Sequence, residues 1–363
     1  MLVLGMMSGT SLDGVDAAVL DTDGEAIFGF GRTGYRAYAA EEAEVLHRAL
    51  GRWPGEPGVA EAAALSVRVH AALAANFPEA EVIGYHGQTL AHDPGAGRTH
   101  QAGQGWELAR ATGRRVVWDF RAEDVRQGGE GAPLAPFFHH ALARWAVAQG
   151  RLDPSPVVFL NLGGVGNLTW CDPRDPDPLS ACVAFDTGPA NAPLNDLMRA
   201  RREVPRDEGG QLALQGTPRE SVIQDFLRHA YFARPAPKSL DRDAFAALGP
   251  AVAQMEDADA AATLAHAAAA AVAAGLGLLP SCPASVLVCG GGRHNAAMMR
   301  ALEERCGLPA RPVEEAGLDG DMIEAQAFAW LAARVLRGLP TSGPRATAAA
   351  RAVCGGRISS PRR

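Results

Sequence analysis

The sequence predicts an α/β protein with two domains, and three observations support that prediction. Each half of the chain opens with an apolar run, a glycine-rich turn and a second apolar run, centred on residues 5–16 in the first half and 161–166 in the second. Short apolar runs of strand length alternate with longer stretches of helical period, which is typical of α/β folds. At 363 residues, the chain is long enough for two hydrophobic cores of ordinary size.

Local patterns predict the individual elements and the division into domains. The glycine-rich bend at residues 128–133 is the predicted boundary, giving domains of residues 1–130 and 131–339, with the tail 340–363 expected to pack on the first domain. Strands are predicted over residues 2–4, 17–20, 81–85, 115–118, 157–160, 167–170, 182–185 and 286–289. Helices are predicted over residues 41–77 with a break at 51–55, and over 134–149, 240–279, 296–306 and 322–337.

The composition argues against several classes of protein. A formal net charge of −7 leaves no general basic surface for nucleic acid. The most apolar stretch, residues 258–279, is rich in Ala and is interrupted by Asp259 and His266, which favours a packed helix over a membrane span. The six cysteines form no Cys-x-x-Cys motif, and no secretion signal is evident. We therefore expect a cytoplasmic protein without nucleic-acid or membrane partners.

The usage of cationic residues excludes one large group of nucleotide enzymes. The chain has 33 arginines and a single lysine, Lys238, which follows Pro237. A Walker-type phosphate loop requires Gly-Lys-Ser/Thr, so this loop is absent. The three glycines at residues 290–292 join a strand to a helix, a place that suits a nucleotide. They lack the Gly-x-Gly-x-x-Gly spacing of dinucleotide folds, which disfavours a nicotinamide cofactor.

The most informative segment is residues 5–16, Gly-Met-Met-Ser-Gly-Thr-Ser-Leu-Asp-Gly-Val-Asp. Its glycines allow backbone N–H groups to approach a ligand closely, and its hydroxyls add donors. Its two carboxylates, Asp13 and Asp16, suit a metal ion. The segment therefore predicts a site for a magnesium-bound polyphosphate. The alternative is a hairpin with a polar turn and no ligand.

Asp186 is the predicted general base. It follows the apolar run 182–185 and precedes Thr-Gly-Pro, a position that exposes a carboxylate at the end of a strand. A general base needs to lie within hydrogen-bond reach of the water or hydroxyl that it deprotonates. The alternative role for Asp186 is the N-cap of a helix that begins near Ala190.

Other polar residues have both a functional and a structural interpretation. His86 and Gln88 are placed to donate hydrogen bonds to a sugar or acyl group, or are satisfied loop residues. Asp119, Arg121 and Asp124 form a polar cluster that binds substrate hydroxyls or pairs internally. Lys238 either contacts a substrate anion or is a lysine retained by chance.

Together these segments resemble the anhydro-N-acetylmuramic acid kinase family, within the larger group of hexokinase, actin and the heat-shock chaperone ATPases. The resemblance implies two ribonuclease-H-like domains of the actin/hexokinase type, with mixed sheets flanked by helices around an interdomain cleft, and a homodimer. It extends over nearly the whole chain, with matching motifs in the same order at residues 5–16, 86–89, 119–121, 128–134, 161–164, 185–191 and 290–292.

The resemblance also implies the reaction. ATP, water and 1,6-anhydro-N-acetylmuramic acid would give N-acetylmuramic acid 6-phosphate and ADP, in the recycling of cell-wall peptidoglycan. Water would open the anhydro ring at the anomeric carbon, and the freed O6 would take the γ-phosphoryl group. Phosphoryl transfer depends mainly on positioning and charge neutralisation, for which ATP and Mg²⁺ are the expected cofactors.

The roles of individual residues follow from the same resemblance. Asp186 would be the catalytic base, and Asp13 would hold Mg²⁺ through water. The substrate-binding residues would be His86, Gln88, Asp119, Arg121 and Gly131. The ATP-binding residues would be Gly9, Thr10, Ser11, Leu12, Asp13, Gly14, Val15, Asp16, Gly163, Gly164, Gly290, Gly291, Gly292 and Asn295.

The sequence departs from the family pattern at two places that bear on the site. The usual Lys-Ser-Thr-Gly-Arg-Glu is Lys-Ser-Leu-Asp-Arg-Asp at residues 238–243, and the late Thr-Thr-Gly is Thr-Ser-Gly at residues 341–343. Two other functions remain open from the residues alone. One is a non-catalytic nucleotide-dependent switch, and the other is an ATP-independent glycoside hydrolase with paired carboxylates such as Asp119 and Asp186.

Overall fold

A computed structural model describes residues 1–240 and 244–361. The altered segment 238–243 thus lies partly outside the described residues, as does the end of the tail 340–363. The strands in the described residues are β1 (Leu2–Ser8), β2 (Gly14–Thr22), β3 (Ile27–Ala37), β4 (Val82–Asp93), β5 (Arg98–Ala102), β6 (Arg115–Trp118), β7 (Val157–Leu162), β8 (Val165–Cys171), β9 (Cys182–Pro189), β10 (Val286–Cys289), β11 (Ala310–Pro312) and β12 (Arg357–Ser359).

The helices follow the predicted pattern closely where apolar residues recur at helical spacing. The break at residues 51–55 separates the first two, as predicted. The α-helices are α1 (Ala40–Ala49), α2 (Val59–Ala74), α3 (Gly105–Thr112), α4 (Ala122–Arg126), α5 (Pro136–Ala148), α6 (Pro178–Ala181), α7 (Asn191–Arg202), α8 (Glu220–Leu227), α9 (Leu248–Ala251), α10 (Asp257–Leu276), α11 (Ala296–Cys306), α12 (Ile323–Leu336) and α13 (Pro344–Thr347).

The chain divides into two compact units, residues 1–145 with 322–363, and residues 146–321. The division differs from the predicted one, because the bend 128–133 and all of α12 lie within the first unit. The helix α12 belongs there because it packs directly on β1 and β4. A Cβ at Gly5 would lie 1.8 Å from the carbonyl oxygen of Ala325, and one at Gly84 would lie 2.1 Å from that of Phe328.

The two sheets repeat one topology. In the first unit the strand order is β12-β6-β4-β1-β2-β3, with β5 paired to β4, and in the second it is β11-β10-β7-β8-β9. In each sheet the first three strands form an antiparallel meander, and two further strands lie parallel on the other side of its first strand, β4 and β6 in the first sheet and β10 and β11 in the second. The predicted fold class, two α/β units with mixed sheets flanked by helices, is confirmed.

Two hydrophobic clusters form the core of the second unit, and the helix α10 contributes to both. In the part of the chain that the structure describes, α10 alone is long and apolar enough to cross a membrane, and 72% of its most apolar window is buried within the protein. This burial is expected of a core helix, and it agrees with the prediction of a packed, Ala-rich helix. The predicted helix over residues 240–279 is shorter in the structure, where α10 begins at Asp257.

Candidate active site

The turn between β1 and β2, residues 9–13, accepts a hydrogen bond from a side chain of β4. Gln88 Nε2 donates a hydrogen bond of 2.8 Å to the carbonyl oxygen of Gly9, and Gln88 is fully buried. The N–H of Leu12 donates to the same carbonyl at 3.3 Å, with Leu12 at a left-handed φ of 56°. Gln88 was predicted either to donate a hydrogen bond to substrate or to be a satisfied loop residue. It lies within β4 and not in a loop, its amide supports the turn, and its contact with substrate stays a prediction.

The other flank of the turn is held by β3 and the residue after it. Tyr35 Oη and the N–H of Tyr38 both donate to the carbonyl oxygen of Asp13, at 2.8 and 3.0 Å. Burial raises the pKa of Tyr35, and the carboxylates of Asp13 and Asp16 raise it further. Gly14 is required here, because a Cβ would lie 2.5 Å from the Tyr35 ring. The carboxylates of Asp13 in the turn and Asp16 in β2 therefore both raise the pKa of the Tyr35 phenol.

Three side chains at the tip of the turn, Thr10, Ser11 and Asp13, are exposed to solvent. Ser11 Oγ donates to Asp13 Oδ1 at 2.7 Å, which orients the carboxylate. Val15 was predicted to bind ATP, and its side chain is fully buried in the core. The tip of the turn therefore presents hydroxyls and a carboxylate outward from a fixed backbone.

The donor set fits Mg²⁺ held through water. In the part of the chain that the structure describes, no group of three or more His, Cys, Asp or Glu side chains converges on one point. Mg²⁺ usually keeps several waters and is bound by one or two carboxylates together with substrate phosphates. The exposed Asp13, with Asp16 beside the same phenol, matches that requirement.

His86 lies within β4, not after it, and its ring orients Arg121. Its Nδ1 is 2.7 Å from the carbonyl oxygen of Gly87, so Nδ1 carries the proton and Nε2 accepts a 3.0 Å hydrogen bond from Arg121 Nε. Burial lowers the pKa of His86 well below its ordinary value, and Arg121 lowers it further. Both ring nitrogens thus have partners within the protein. The ring of His86 orients Arg121, and its predicted contact with substrate stays a prediction.

Arg121 is fixed at its other end by the backbone of the glycine-rich bend. Arg121 Nη1 donates to the carbonyl oxygen of Gly131 at 2.7 Å. The N–H of Gly131 donates in turn to Asp124 Oδ1 at 2.8 Å, and its φ of 65° suits glycine. Burial lowers the pKa of Arg121 to about 10, opposed by the carboxylates of Glu324 and Asp124. Arg121 therefore remains charged at neutral pH in a fixed orientation.

Asp124 and Asp119 both bond to residues of the C-terminal segment, Asp124 by hydrogen bonds and Asp119 by an ion pair. Asp124 is fully buried, and its Oδ2 accepts hydrogen bonds from Ser342 Oγ and from Thr347 Oγ1, the latter at 2.7 Å. Asp119, at a φ of 57°, forms an ion pair with Arg357 at 2.9 Å. Burial raises the pKa of Asp119, although Arg357 opposes that shift. The Thr-Ser-Gly departure at residues 341–343 thus provides a hydroxyl to the carboxylate of Asp124.

Sequence reasoning missed Glu324, on the first turn of α12. Its carboxylate raises the pKa of Arg121 and so partly offsets the effect of burial on that guanidinium. Burial raises the pKa of Glu324 itself. No motif distinguishes this residue in the sequence, since the pairing joins residues 203 positions apart. A carboxylate at the start of an apolar helix reads as an ordinary N-terminal charge.

In the second unit, Asp186 is the fifth residue of β9, which continues to Pro189. The N-cap of the next helix is Ala190, which excludes the predicted alternative role of Asp186 as that cap. Asp186 Oδ2 accepts a 2.8 Å hydrogen bond from the N–H of Leu240, and its own N–H donates to the carbonyl oxygen of Lys238 at 2.9 Å. The carboxylate is therefore held by main-chain groups of a neighbouring segment.

The glycine turn between β7 and β8 is held against the start of α7. The N–H groups of Ala190 and Ala192 donate to the carbonyl oxygen of Gly164, at 2.9 and 3.2 Å. Asn191 donates through its N–H and its side chain to the carbonyl oxygen of Gly163, at 3.0 and 2.9 Å. These contacts use carbonyl groups of the turn, which fixes its backbone relative to the helix that follows Asp186.

The glycines after β10 are required for different reasons. Gly290 has a φ of 72°, and a Cβ there would lie 2.2 Å from Asn161 Oδ1. A Cβ at Gly292 would lie 2.5 Å from the Cβ of Leu162, whereas Gly291 faces open space. Asn295 Oδ1 accepts the N–H of Met298 at 3.0 Å and so caps α11. The side-chain oxygen of Asn295 thus has a structural role.

Comparison with known proteins agrees with these motifs. The family model for anhydro-N-acetylmuramic acid kinase matches residues 1–361. A protein named anhydro-N-acetylmuramic acid kinase from Cereibacter sphaeroides is 62% identical over 99% of this chain and 96% of its own length. One of the same name from Ruegeria sp. is 53% identical over 99% of this chain and 94% of its own.

The chain is also similar to solved structures at low sequence identity. The activator of the 2-hydroxyisocaproyl-CoA dehydratase from Clostridium difficile matches 93% of this chain and 96% of its own, at 12% identity and a TM-score of 0.43. A likeness at that level says nothing about what this chain binds. The match over residues 1–361 and the identity to full-length relatives show that the chain belongs to the anhydro-N-acetylmuramic acid kinase family.

Proposed function

We propose that this chain is an ATP-dependent kinase that converts 1,6-anhydro-N-acetylmuramic acid and water to N-acetylmuramic acid 6-phosphate, as a step in the recycling of peptidoglycan. Membership of the kinase family supports the sugar substrate and a nucleoside triphosphate as phosphoryl donor. The geometric observation that carries the proposal is the Asp186 carboxylate on β9, which accepts a hydrogen bond from the N–H of Leu240.

Asp186 is proposed to accept a proton from the attacking water. The water oxygen bonds to the anomeric carbon C1 as the C1–O6 bond breaks and leaves its electron pair on O6. O6 then attacks the γ-phosphorus of ATP, the bond to the β–γ bridging oxygen breaks, and ADP leaves. The second hydrogen of the water stays on the new C1 hydroxyl, and the proton taken up by Asp186 is released to solvent before the next turnover.

The turn of residues 9–16 is proposed to hold the phosphates of ATP. Its exposed Thr10 and Ser11 present hydroxyl donors, and Asp13 would hold Mg²⁺ through water. When bound, Mg²⁺ neutralises charge on the phosphates. The glycines that are proposed to lie against the nucleotide in the second unit are Gly163, Gly164, Gly290, Gly291 and Gly292, together with the side-chain NH₂ of Asn295.

The sugar is proposed to bind beside Arg121. Its guanidinium is charged and is fixed by His86 and by the carbonyl oxygen of Gly131. Such preorganised donors lose little freedom when a hydroxyl or carboxylate binds. Asp119 is proposed as a further substrate contact, with its carboxylate oriented by Arg357.

An assay of the purified chain with the anhydro-sugar, in the presence and absence of ATP and Mg²⁺, tests the proposal. We expect N-acetylmuramic acid 6-phosphate and ADP in equal amounts, and only when ATP is present. Turnover without nucleotide would identify an ATP-independent glycoside hydrolase. Nucleotide binding without any turnover would identify a non-catalytic switch.

Asp186→Asn tests the assignment of the base. We expect product formation to be lost while ATP binding, measured by calorimetry, persists. The matched control is Asp196→Asn, which removes an exposed carboxylate on α7 that pairs with Arg199, and it should retain normal turnover. Near-normal turnover of Asp186→Asn would exclude Asp186 as the base.

We also propose that the chain forms a homodimer and acts in the cytoplasm, where ATP is available. Light scattering on the purified protein tests the first point. The expected mass is twice the 37.9 kDa of one chain, and a mass equal to one chain would contradict it.

A further inference from the structure

The only lysine of the chain lies in an aromatic pocket beside the predicted base. Lys238 is buried, and its Nζ lies 4.5 Å from the centre of the Tyr231 ring and 5.6 Å from that of Phe185. Nζ also donates a 3.0 Å hydrogen bond to the carbonyl oxygen of Tyr231. The ammonium group thus has partners within the protein, two aromatic rings and one carbonyl oxygen. A contact of this group with a substrate anion was one role predicted for it.

Hydrogen bonds join this pocket to Asp186 from two directions. Tyr231 Oη donates to the carbonyl oxygen of Asp186 at 2.5 Å, and the N–H of Asp186 donates to the carbonyl oxygen of Lys238 at 2.9 Å. Lys238, Tyr231 and Asp186 thus form a closed ring of contacts. Two residues beyond Lys238, the N–H of Leu240 reaches Asp186 Oδ2.

The place of Asp186 in its sheet explains what the hydrogen bonds among Lys238, Tyr231 and Asp186 do. β9 is an edge strand, with β8 on one side. Residues 238–240 bond to the main chain and the carboxylate of Asp186 on that strand, and so brace it at the one residue that is proposed to remove a proton. An ammonium group is compact and carries three donors, so it can face two rings and a carbonyl at once, whereas a planar guanidinium needs more room.

We propose that Lys238 is a positioning residue for the reaction, which locks residues 238–240 against β9 and so fixes the orientation of the Asp186 carboxylate. The inference rests on the proposed role of Asp186 as the base. Lys238 acts through Tyr231 and the main chain and does not itself touch substrate.

Lys238→Met keeps a side chain of similar length and removes the charge and the donor. We expect kcat of the ATP-dependent reaction to fall about 10- to 100-fold, since a small misplacement of a reacting group costs that much, while KM for ATP and for the sugar changes less than about threefold. Tyr231→Phe, a milder change that removes only the bond to the Asp186 carbonyl, should lower kcat in the same way.

The control is Arg201→Met. Arg201 is a cation of the same unit. It donates to the main-chain carbonyls of Val252, Ala253 and Met255 and to the carboxylate of Asp257, and not to Asp186. This variant should lower the melting temperature without lowering kcat. If Lys238→Met does not fold, Lys238→Arg carries the test, because it keeps the charge but replaces the compact ammonium group with a planar guanidinium, and the same fall in kcat is expected.

The double variant Lys238→Met/Tyr231→Phe distinguishes positioning from general weakening. If both residues act through Asp186, the loss in kcat is smaller than the product of the single losses. Multiplicative losses, or a kcat of the single variants within twofold of the parent, would overturn the inference. If Asp186→Asn itself turns over normally, the proposed base fails instead, so the two failures are distinguishable.

Discussion

The side-chain amide of Gln88 on β4 donates a 2.8 Å hydrogen bond to the carbonyl oxygen of Gly9. Residues 79 positions apart are thereby joined, and the polar turn between β1 and β2 has a fixed base. A turn that is to hold several phosphate oxygens needs its N–H groups oriented before the ligand arrives. Gln88 supplies that order from outside the turn.

Gln88→Leu should weaken ATP binding. The substitution keeps most of the volume but removes the donor to Gly9, and one such hydrogen bond contributes about 0.5–1.5 kcal/mol. We expect the Kd for MgATP, measured by calorimetry, to rise about 2- to 10-fold. Gln101→Leu, which removes bonds to Thr89 on β4 and Thr99 on β5, is the control and should leave the Kd unchanged. An unchanged Kd in Gln88→Leu would mean that the turn needs no such support.

Gly84→Ala should destabilise the first unit. Its Cβ would lie 2.1 Å from the carbonyl oxygen of Phe328, and main chain on both sides cannot move aside cheaply. Overpacking of this kind costs about 1–3 kcal/mol. The control is Gly29→Ala on β3, where no atom lies within 4 Å of the new methyl group. Urea unfolding measures both, and equal midpoints would show that α12 is not so closely packed on β4.

Asp124→Asn should loosen the segment of residues 341–347. The buried carboxylate accepts hydrogen bonds from the N–H of Gly131 and from the hydroxyls of Ser342 and Thr347. An amide presents one oxygen and no charge, so we expect a loss of about 1.5–3 kcal/mol. Hydrogen exchange should show faster exchange in residues 341–347 and in the bend 128–133. Unchanged protection there would contradict the role given to Asp124.

The first unit should lose stability as the pH falls below about 6.5. Burial lowers the pKa of His70 to about 4 and that of His139 to about 3, and it lowers that of His86 as well. The native state thus stays neutral where the unfolded chain binds protons, and protonation favours unfolding between the two pKa values. For His70, the loss by pH 4 is about 3 kcal/mol.

Chemical unfolding at several pH values measures this dependence. His70→Gln should reduce the slope of stability against pH between pH 6.5 and 4, because one buried proton acceptor is gone. His47→Gln, which changes an exposed histidine on α1, is the control and should keep the parent slope. An equal slope in all three proteins would show that His70 does not carry this effect.

Much of the fold was predictable because the signals are local. Strand β10 and helix α11 begin and end at the residues predicted from the spacing of apolar residues and the flanking glycines. The break between α1 and α2 falls at the predicted turn. The ends of β4 and β9 were wrong, because polar residues such as His86 and Asp186 continue those strands. A polar residue can continue a strand when the fold supplies a hydrogen-bond partner for its side chain, and the local sequence pattern does not show that partner.

The sequence by itself determined the α/β class, the two like halves, the motifs that indicate the family, and the residues worth testing, because hydrophobic period and turn chemistry act over a few neighbouring residues. Only the tertiary structure decided which contacts several of those residues make. Gln88 bonds to the carbonyl oxygen of Gly9, His86 accepts a hydrogen bond from Arg121, and the carbonyl oxygen of Lys238 accepts one from the N–H of Asp186. Each of these contacts joins residues far apart in the chain, and a hydrogen bond between distant residues leaves no local pattern from which it can be read.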